Sequence, residues 1–242
     1  MYYLLLLLWL FTLGTGLLLD LQWLDKEHFS TLPSMKLTSS FILVLAAWYT
    51  VFKTAAAPRR IAVCIAVGMF FGFLGDCAMA GLFKFFPSPV IGGMLFFGIG
   101  HLAYIYGALL ARRYFQIPAN ALWWLAILAW QVIGILIWIF IVNRSDQHLP
   151  LHIPALAYGA LLAATAGVTS ALAIQNRQFI WSALGAMLFL FSDGVIAWEM
   201  FQGSTPQLRF LVWATYGPGQ MLIVLGFAWV LVYRTRTAAQ VS

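Results

Sequence analysis

The chain has 242 residues; 63% are hydrophobic, 8% are charged, and the formal net charge is +6. A soluble domain is roughly 45–50% apolar and about 25% charged, so no soluble domain hides this much apolar surface. Disordered chains are polar and poor in aromatics, and two cysteines make no disulfide scaffold. A membrane β-barrel would alternate polar and apolar residues, whereas the apolar runs here are continuous. What remains is an all-α polytopic membrane protein. In such a chain the positive charge reads as basic loops on one face of a bilayer, not as a nucleic-acid surface.

A bilayer core needs roughly 20 apolar residues per helix. Eight stretches qualify: Tyr2–Leu19, Leu37–Phe52, Ile61–Ala80, Val90–Leu110, Ala121–Val142, Ile153–Ile174, Ile180–Phe201 and Phe210–Tyr233. Breakers mark the joints: Pro58, Pro87-Ser88-Pro89, Pro118, Pro150 and Pro206. Every loop is short, so the reading is one transmembrane domain over 1–242, a bundle of eight helices. The first segment does not read as a signal peptide: no basic residue precedes it, and no small-residue cleavage site follows before Asp20.

Lys and Arg in short loops set orientation. Lys53, Arg59, Arg60, Arg112, Arg113, Arg177, Arg234 and Arg236 fall on the side that holds both termini. Lys26, Lys36, Lys84, Arg144 and Arg209 fall opposite, together with the loop acids Asp20, Asp25, Glu27 and Asp146. Both termini are therefore expected to be cytoplasmic, and the compact chain suits a bacterial inner membrane. Cys64 and Cys77 lie thirteen residues apart on one helix, about 20 Å, too far to bridge.

Polar residues inside the spans carry the functional reading. A carboxylate at the centre of a lone helix costs about 2.5–3.5 kcal/mol on insertion scales, so such residues face the bundle interior or a wet cavity. The third span carries Asp76 on a stripe with Gly68 and Gly72, where a neighbouring backbone can come close. The fourth has His101 and Tyr104 on one face. The seventh has Ser182, Gly185, Phe189 and Asp193 along one side, with Ser192 beside it. The eighth has Tyr216 and Gln220 four apart, with Gly217-Pro218-Gly219 between them. That proline should kink the helix and free the carbonyl of Ala214. An aspartate in the third and seventh spans, each followed by a polar helix, is the pattern of two parallel four-helix halves.

A single buried polar residue is often interhelical glue. Two aspartates, a histidine, two tyrosines and a glutamine at one depth favour a shared site. Glu199 falls on another face than Asp193. His148 and His152 flank Pro150 in a loop, and no further ligand cluster supports a metal there. No metal or cofactor is expected. Nor is there a phosphate loop, a G-x-S-x-G elbow or an H-E-x-x-H motif. Gly72-Phe73-Leu74-Gly75-Asp76 loosely resembles the signature of intramembrane aspartyl proteases, but Ser192-Asp193 lacks the Tyr-Asp partner of that family.

Four segments together resemble another family, the lysoplasmalogenase or YhhN-like membrane proteins. They are Phe71-Gly72-Phe73-Leu74-Gly75-Asp76, Gly98-Ile99-Gly100-His101-Leu102-Ala103-Tyr104, the run from Gly185 to Ser192-Asp193, and Thr215-Tyr216 through Gln220 to Ile223. They come in the family's order. Two departures stand out: Leu37 follows Lys36 where the family often has proline, and Gly217-Pro218-Gly219 is unusual between the tyrosine and the glutamine. The resemblance implies a hydrolase that cleaves the vinyl ether bond of lysoplasmalogens. Its products would be a fatty aldehyde and glycerophosphoethanolamine or glycerophosphocholine.

That reaction protonates a carbon, passes through an oxocarbenium ion and then adds water. It needs an acid that still holds its proton, a carboxylate beside the cation and a base for water. Asp76 and Asp193 fit the two carboxyl roles in either order, with His101 to orient or deprotonate water. Tyr104, Ser192, Tyr216 and Gln220 would hold substrate or water, and Lys36 at the rim would meet the phosphate of a lysophospholipid. The rival reading is a proton-coupled carrier built on the same acids. A shared site requires the third and seventh helices to be neighbours and the carboxyl groups to lie within about 10 Å. An apolar tunnel is expected along Phe96, Phe97, Phe189 and Trp213.

Overall fold

In the computed structural model, residues 1–22 and 32–234 are described. Asp25, Lys26, Glu27 and Arg236, used in the charge argument, lie outside the described residues, as do the side chains of Asp20 and Arg234. Eight helices follow in order: α1 (Tyr2–Gln22), α2 (Leu32–Lys53), α3 (Arg59–Met79), α4 (Pro89–Tyr114), α5 (Ala121–Ile137), α6 (His152–Gln175), α7 (Ile180–Phe201) and α8 (Pro206–Ala228). α5 runs on into a π-helical turn, Trp138–Val142, and α8 into another, Trp229–Arg234. By length and composition α2 to α8 can each cross a membrane; α1 is apolar over Tyr2–Leu18 and is shorter. The protein is an integral, multi-pass helical bundle.

Two of the prolines read as breakers start helices instead. Pro89 and Pro206 occupy first-turn positions, where a missing N–H costs nothing. The residue before each caps the helix: Ser88 Oγ accepts from the Ile91 amide at 3.3 Å, and Thr205 Oγ1 from Leu208 at 3.4 Å. α2 begins five residues before the expected Leu37, so Lys36 sits in its first turns rather than in a loop. Pro218 lies inside α8, which continues through it.

Five helices close a ring. α3 packs on α4, α4 on α6, α6 on α7, α7 on α8, and α8 returns to α3. α2 lies in the groove between α3 and α8, α1 covers α2 and α8, and α5 leans on α6 from outside. Glycines allow the closest crossings. A Cβ on Gly68 would stand 2.4 Å from the Tyr104 ring, and one on Gly100 would stand 2.9 Å from the Gly68 carbonyl. Across α7 and α8, a Cβ on Gly185 would meet the Gly219 carbonyl and the Ile223 amide at 2.6 Å. With lipid outside, packing of this kind drives helix association, because lipid tails are as apolar as leucine.

Candidate functional site

The ring's interior is filled by side chains reaching across it. Phe97 of α4 meets Phe189 of α7 and Tyr216 of α8, each at 6.0 Å between ring centroids, and Phe189 lies 5.2 Å from Tyr216. His101 packs edge-on to Phe189 at 4.5 Å. Around this aromatic cluster the polar residues fall into three groups.

The first group is a relay that ends on Asp76, where α2, α3 and α8 meet. Tyr104 donates its hydroxyl to Gln220 Oε1 at 3.0 Å. Gln220 donates from Nε2 to the Tyr216 hydroxyl at 3.2 Å. Tyr216 is thereby left with its own proton to give, and the Tyr216 hydroxyl and Ser40 of α2 lie in the electrostatic neighbourhood of the Asp76 carboxyl. All four relay residues are buried. Gly72 makes the room: a Cβ there would sit 2.7 Å from Gln220 Nε2. Asp76 Oδ2 is buried and has no hydrogen-bond partner.

The second group is Asp193 with Tyr158. The Tyr158 hydroxyl donates to Asp193 Oδ2 in a very short contact between α6 and α7. Asp193 is half-buried, because it opens onto a cleft on the outward side of the ring. Phe97 lines that cleft; Phe96, Phe189 and Trp213, expected beside it, do not. Phe189 is instead locked in the aromatic cluster, and Trp213 packs on Tyr216 at 5.2 Å.

The third group holds His101. Thr165 Oγ1 lies 3.0 Å from the Leu161 carbonyl and 2.8 Å from His101 Nδ1. A Thr165 hydroxyl that donates to Leu161 accepts from Nδ1, and the imidazole lone pair then falls on Nε2. Nε2 is buried without a partner.

Helices α3 and α7 are not packed side by side, which departs from the sequence expectation; α8 stands between them and contacts both. The neighbour condition set for a shared site is therefore not met: Asp76 belongs to the group where α2, α3 and α8 meet, and Asp193 to the α6–α7 group. Of the other expected residues, Lys36 places its ammonium 4.8 Å over the Trp213 ring, at the α2–α8 edge of the Asp76 group. Ser192 is fully buried and donates to the Val212 carbonyl at 3.2 Å, joining α7 to α8. Glu199 accepts from Ser204 at 2.7 Å, and His152 rests on Phe201 at 5.3 Å, both outside the three groups.

Ser40, Tyr158 and Thr165 were not singled out in the sequence. A signal existed for two of them. Tyr158, Thr165 and Thr169 are polar at helical spacing within the sixth apolar run.

Among known proteins, the sequence model of the YhhN family matches residues 33–227. The lysoplasmalogenase TMEM86B of Mus musculus is 34% identical over 89 residues, which is 36% of this chain and 34% of that protein. The lysoplasmalogenase TMEM86B of Rattus norvegicus is 26% identical over 162 residues, 64% of this chain and 59% of that protein. The lysoplasmalogenase TMEM86B of Homo sapiens is 38% identical over 81 residues, 33% of each. The chain thus spans between about a third and three-fifths of the length of these curated relatives. No solved structure matches it. The matched segment takes in α3 to α7 entire, most of α2 and α8, and every candidate residue from Lys36 to Gln220, and on that basis the chain belongs to the YhhN family.

Proposed function

We propose that this protein is a membrane hydrolase that cleaves the vinyl ether bond of a lysoplasmalogen, with Asp76 and Asp193 as its acid–base pair. The observation that carries the reading is the buried Tyr104–Gln220–Tyr216 relay beside one intramembrane carboxyl, with a second carboxyl across α8 at the floor of an apolar cleft. The names of the curated relatives point the same way.

In the proposed reaction, Asp193 faces the cleft and gives a proton to the β-carbon of the vinyl ether. The double-bond electrons form the new C–H bond, and the ether oxygen shares the resulting positive charge. Asp76, with the Tyr216 and Ser40 hydroxyls in its neighbourhood, stabilises that cation across the ring. Water adds to the cationic carbon and loses a proton to a base, for which His101 Nε2 offers its lone pair. The hemiacetal then breaks its C–O bond, and its hydroxyl proton ends on the departing glycerol oxygen. The sum is one water consumed, one aldehyde and one alcohol released. Lys36 beside Trp213 would meet the phosphate, and Ser192 would act by holding α7 against α8.

We also read α1 as an eighth crossing, with both termini cytoplasmic in a bacterial inner membrane. The α3–α4 and α7–α8 hairpins then correspond in two parallel halves.

The test is aldehyde release by purified protein in detergent. A hydrolase releases aldehyde from a lysoplasmalogen and none from the saturated ether analogue, which has no double bond to protonate. Absence of aldehyde, with substrate-driven proton movement in sealed vesicles, would establish the carrier instead.

A further inference from the structure

α4 and α5 are consecutive in the chain yet are not packed together; α5 leans on α6. The cleft that holds Asp193 at its floor fills the gap. Met79, Val90 and Met94 form one wall, and Ile137, Trp138 and Val142 form the other. The second wall is the π-helical turn that ends α5, a distortion that recurs at functional sites. Trp138 Nε1 pins it to the His152 carbonyl at 2.8 Å. At the floor lie Tyr158 and Asp193, each followed directly by a glycine that also lines the cleft, Gly159 and Gly194.

These two glycines differ from those at the helix crossings. A Cβ on Gly159 would meet nothing within 4 Å, and one on Gly194 would meet only Ile137 Cγ2 at 3.9 Å. Glycine is a poorer helix former than alanine, and helix packing does not require it at either place. What it leaves is open space beside the Tyr158–Asp193 pair.

We propose that this cleft receives the hydrocarbon chain of a single-chain lipid, taken sideways from the bilayer between α4 and α5, and that Gly159 and Gly194 keep its floor open. The identity of the lipid as a lysoplasmalogen rests on the function proposed above. The lining is apolar except at the Tyr158–Asp193 pair and the Trp138 indole. A chain leaving the bilayer gains little by entering, because lipid tails are already as apolar as leucine. The slot therefore selects by what its walls exclude, and a side chain added at its floor should penalise the longer chain.

The experiment uses the full chain in detergent, with lysoplasmalogens of a short and a long alkenyl chain. Gly159→Leu and Gly194→Leu should each lower kcat/KM for the long chain by about tenfold more than for the short one, the scale of one methylene misfit in an apolar pocket. Gly14→Leu, at a glycine of α1 with nothing within 4 Å, should leave the ratio unchanged. In parallel, a lysophospholipid with a diazirine at the chain end should label α5 and α6 peptides that line the cleft, and Gly159→Leu should abolish that labelling. Equal losses for both chains, an unchanged ratio, or labelling confined to other surfaces would overturn the proposal. If the unsubstituted protein releases no aldehyde, the hydrolase reading falls, and the labelling alone decides the cleft. Should either leucine variant fail to elute as a folded species, the labelling of the unsubstituted protein still decides it.

Discussion

The two intramembrane carboxyl groups live in opposite surroundings. Asp76 is buried at a junction of three helices, with the Tyr216 and Ser40 hydroxyls in its neighbourhood and Gln220 and Tyr104 behind Tyr216. Asp193 has a single hydroxyl, from Tyr158, and faces a cleft whose floor carries glycines with room to spare. One neighbourhood is built closed, and the other is built to be reached. A site that must hold charge in a fixed place needs preorganised donors; a group that must deliver a proton to an incoming carbon needs access. The difference between the two surroundings is the ground on which the proposed reaction gives the two groups different roles.

The largest expected effect tests whether both carboxyls are needed at all. Asp76→Asn and Asp193→Asn should each lower turnover by about 10²–10⁴-fold, the range for a general acid or base. Asparagine keeps the size and the hydrogen bonding, so a carboxyl that serves only structure would tolerate it. Aldehyde release on protein shown to be folded and membrane-inserted checks this, and full activity in either variant would sink the pair.

The next effect turns on the unequal number of donors. Tyr158→Phe removes the hydroxyl bonded to Asp193, whereas Tyr216→Phe still leaves the Ser40 hydroxyl in the neighbourhood of Asp76. A hydrogen bond to a charged group is worth about 1.5–3 kcal/mol, roughly 10- to 100-fold. Tyr158→Phe should therefore cost that much in kcat, and Tyr216→Phe measurably less. The reverse order would mean that the hydroxyls on Asp76 are not interchangeable and that the role assignment must be exchanged.

A smaller effect probes the relay behind Asp76. In Gly72→Ala the new methyl would fall 2.7 Å from Gln220 Nε2. The amide must swing away, and its bond to Tyr216 is lost. A neutral hydrogen bond contributes about 0.5–1.5 kcal/mol, so kcat should fall by roughly 2- to 10-fold. Thermal unfolding in detergent should move little, because the obstructing atom is the end of a flexible side chain. A large loss of stability with normal kcat would make Gly72 a packing residue only.

Much of the Asp76 neighbourhood was legible in the sequence, and the reason is contrast. Asp76, His101, Tyr104, Tyr216 and Gln220 interrupt apolar runs, and glycines at four-residue spacing show where Asp76 meets another helix. The Asp193 neighbourhood was only half legible. Tyr158 is a common membrane aromatic, and nothing in composition separates one that anchors at an interface from one that bonds a carboxyl. Ser40 was hidden in the same way, because short hydroxyl residues often bond their own helix, as Thr169 does to Thr165. Periodicity also gives the face of a helix and not its partner. The third and seventh helices were expected side by side, and the ring puts α8 between them. The cleft was placed along Phe96, Phe189 and Trp213 for a related reason: an aromatic fills a gap or lines one, and only the fold decides which.

The smallest expected effects mark the outer limit of both neighbourhoods. Glu199 is the carboxyl next in sequence after Asp193 in α7, six residues on, and its oxygen is already engaged by Ser204 at 2.7 Å near the helix end. His152 Nε2 lies 3.1 Å from the Gln147 carbonyl, and its ring rests on Phe201, a wall residue of the cleft. Neither side chain is bonded to Asp76, Asp193 or a member of their networks. Glu199→Gln keeps an acceptor for Ser204, and His152→Ala removes one edge contact on an aromatic ring. Aldehyde release should stay within a few-fold for each, since surface substitutions away from special features change stability by roughly 0.5 kcal/mol or less. If Glu199→Gln reached the losses expected of Asp193→Asn, the acid would have to be sought at the end of α7. The cleft would then be a passage to it rather than the reaction chamber.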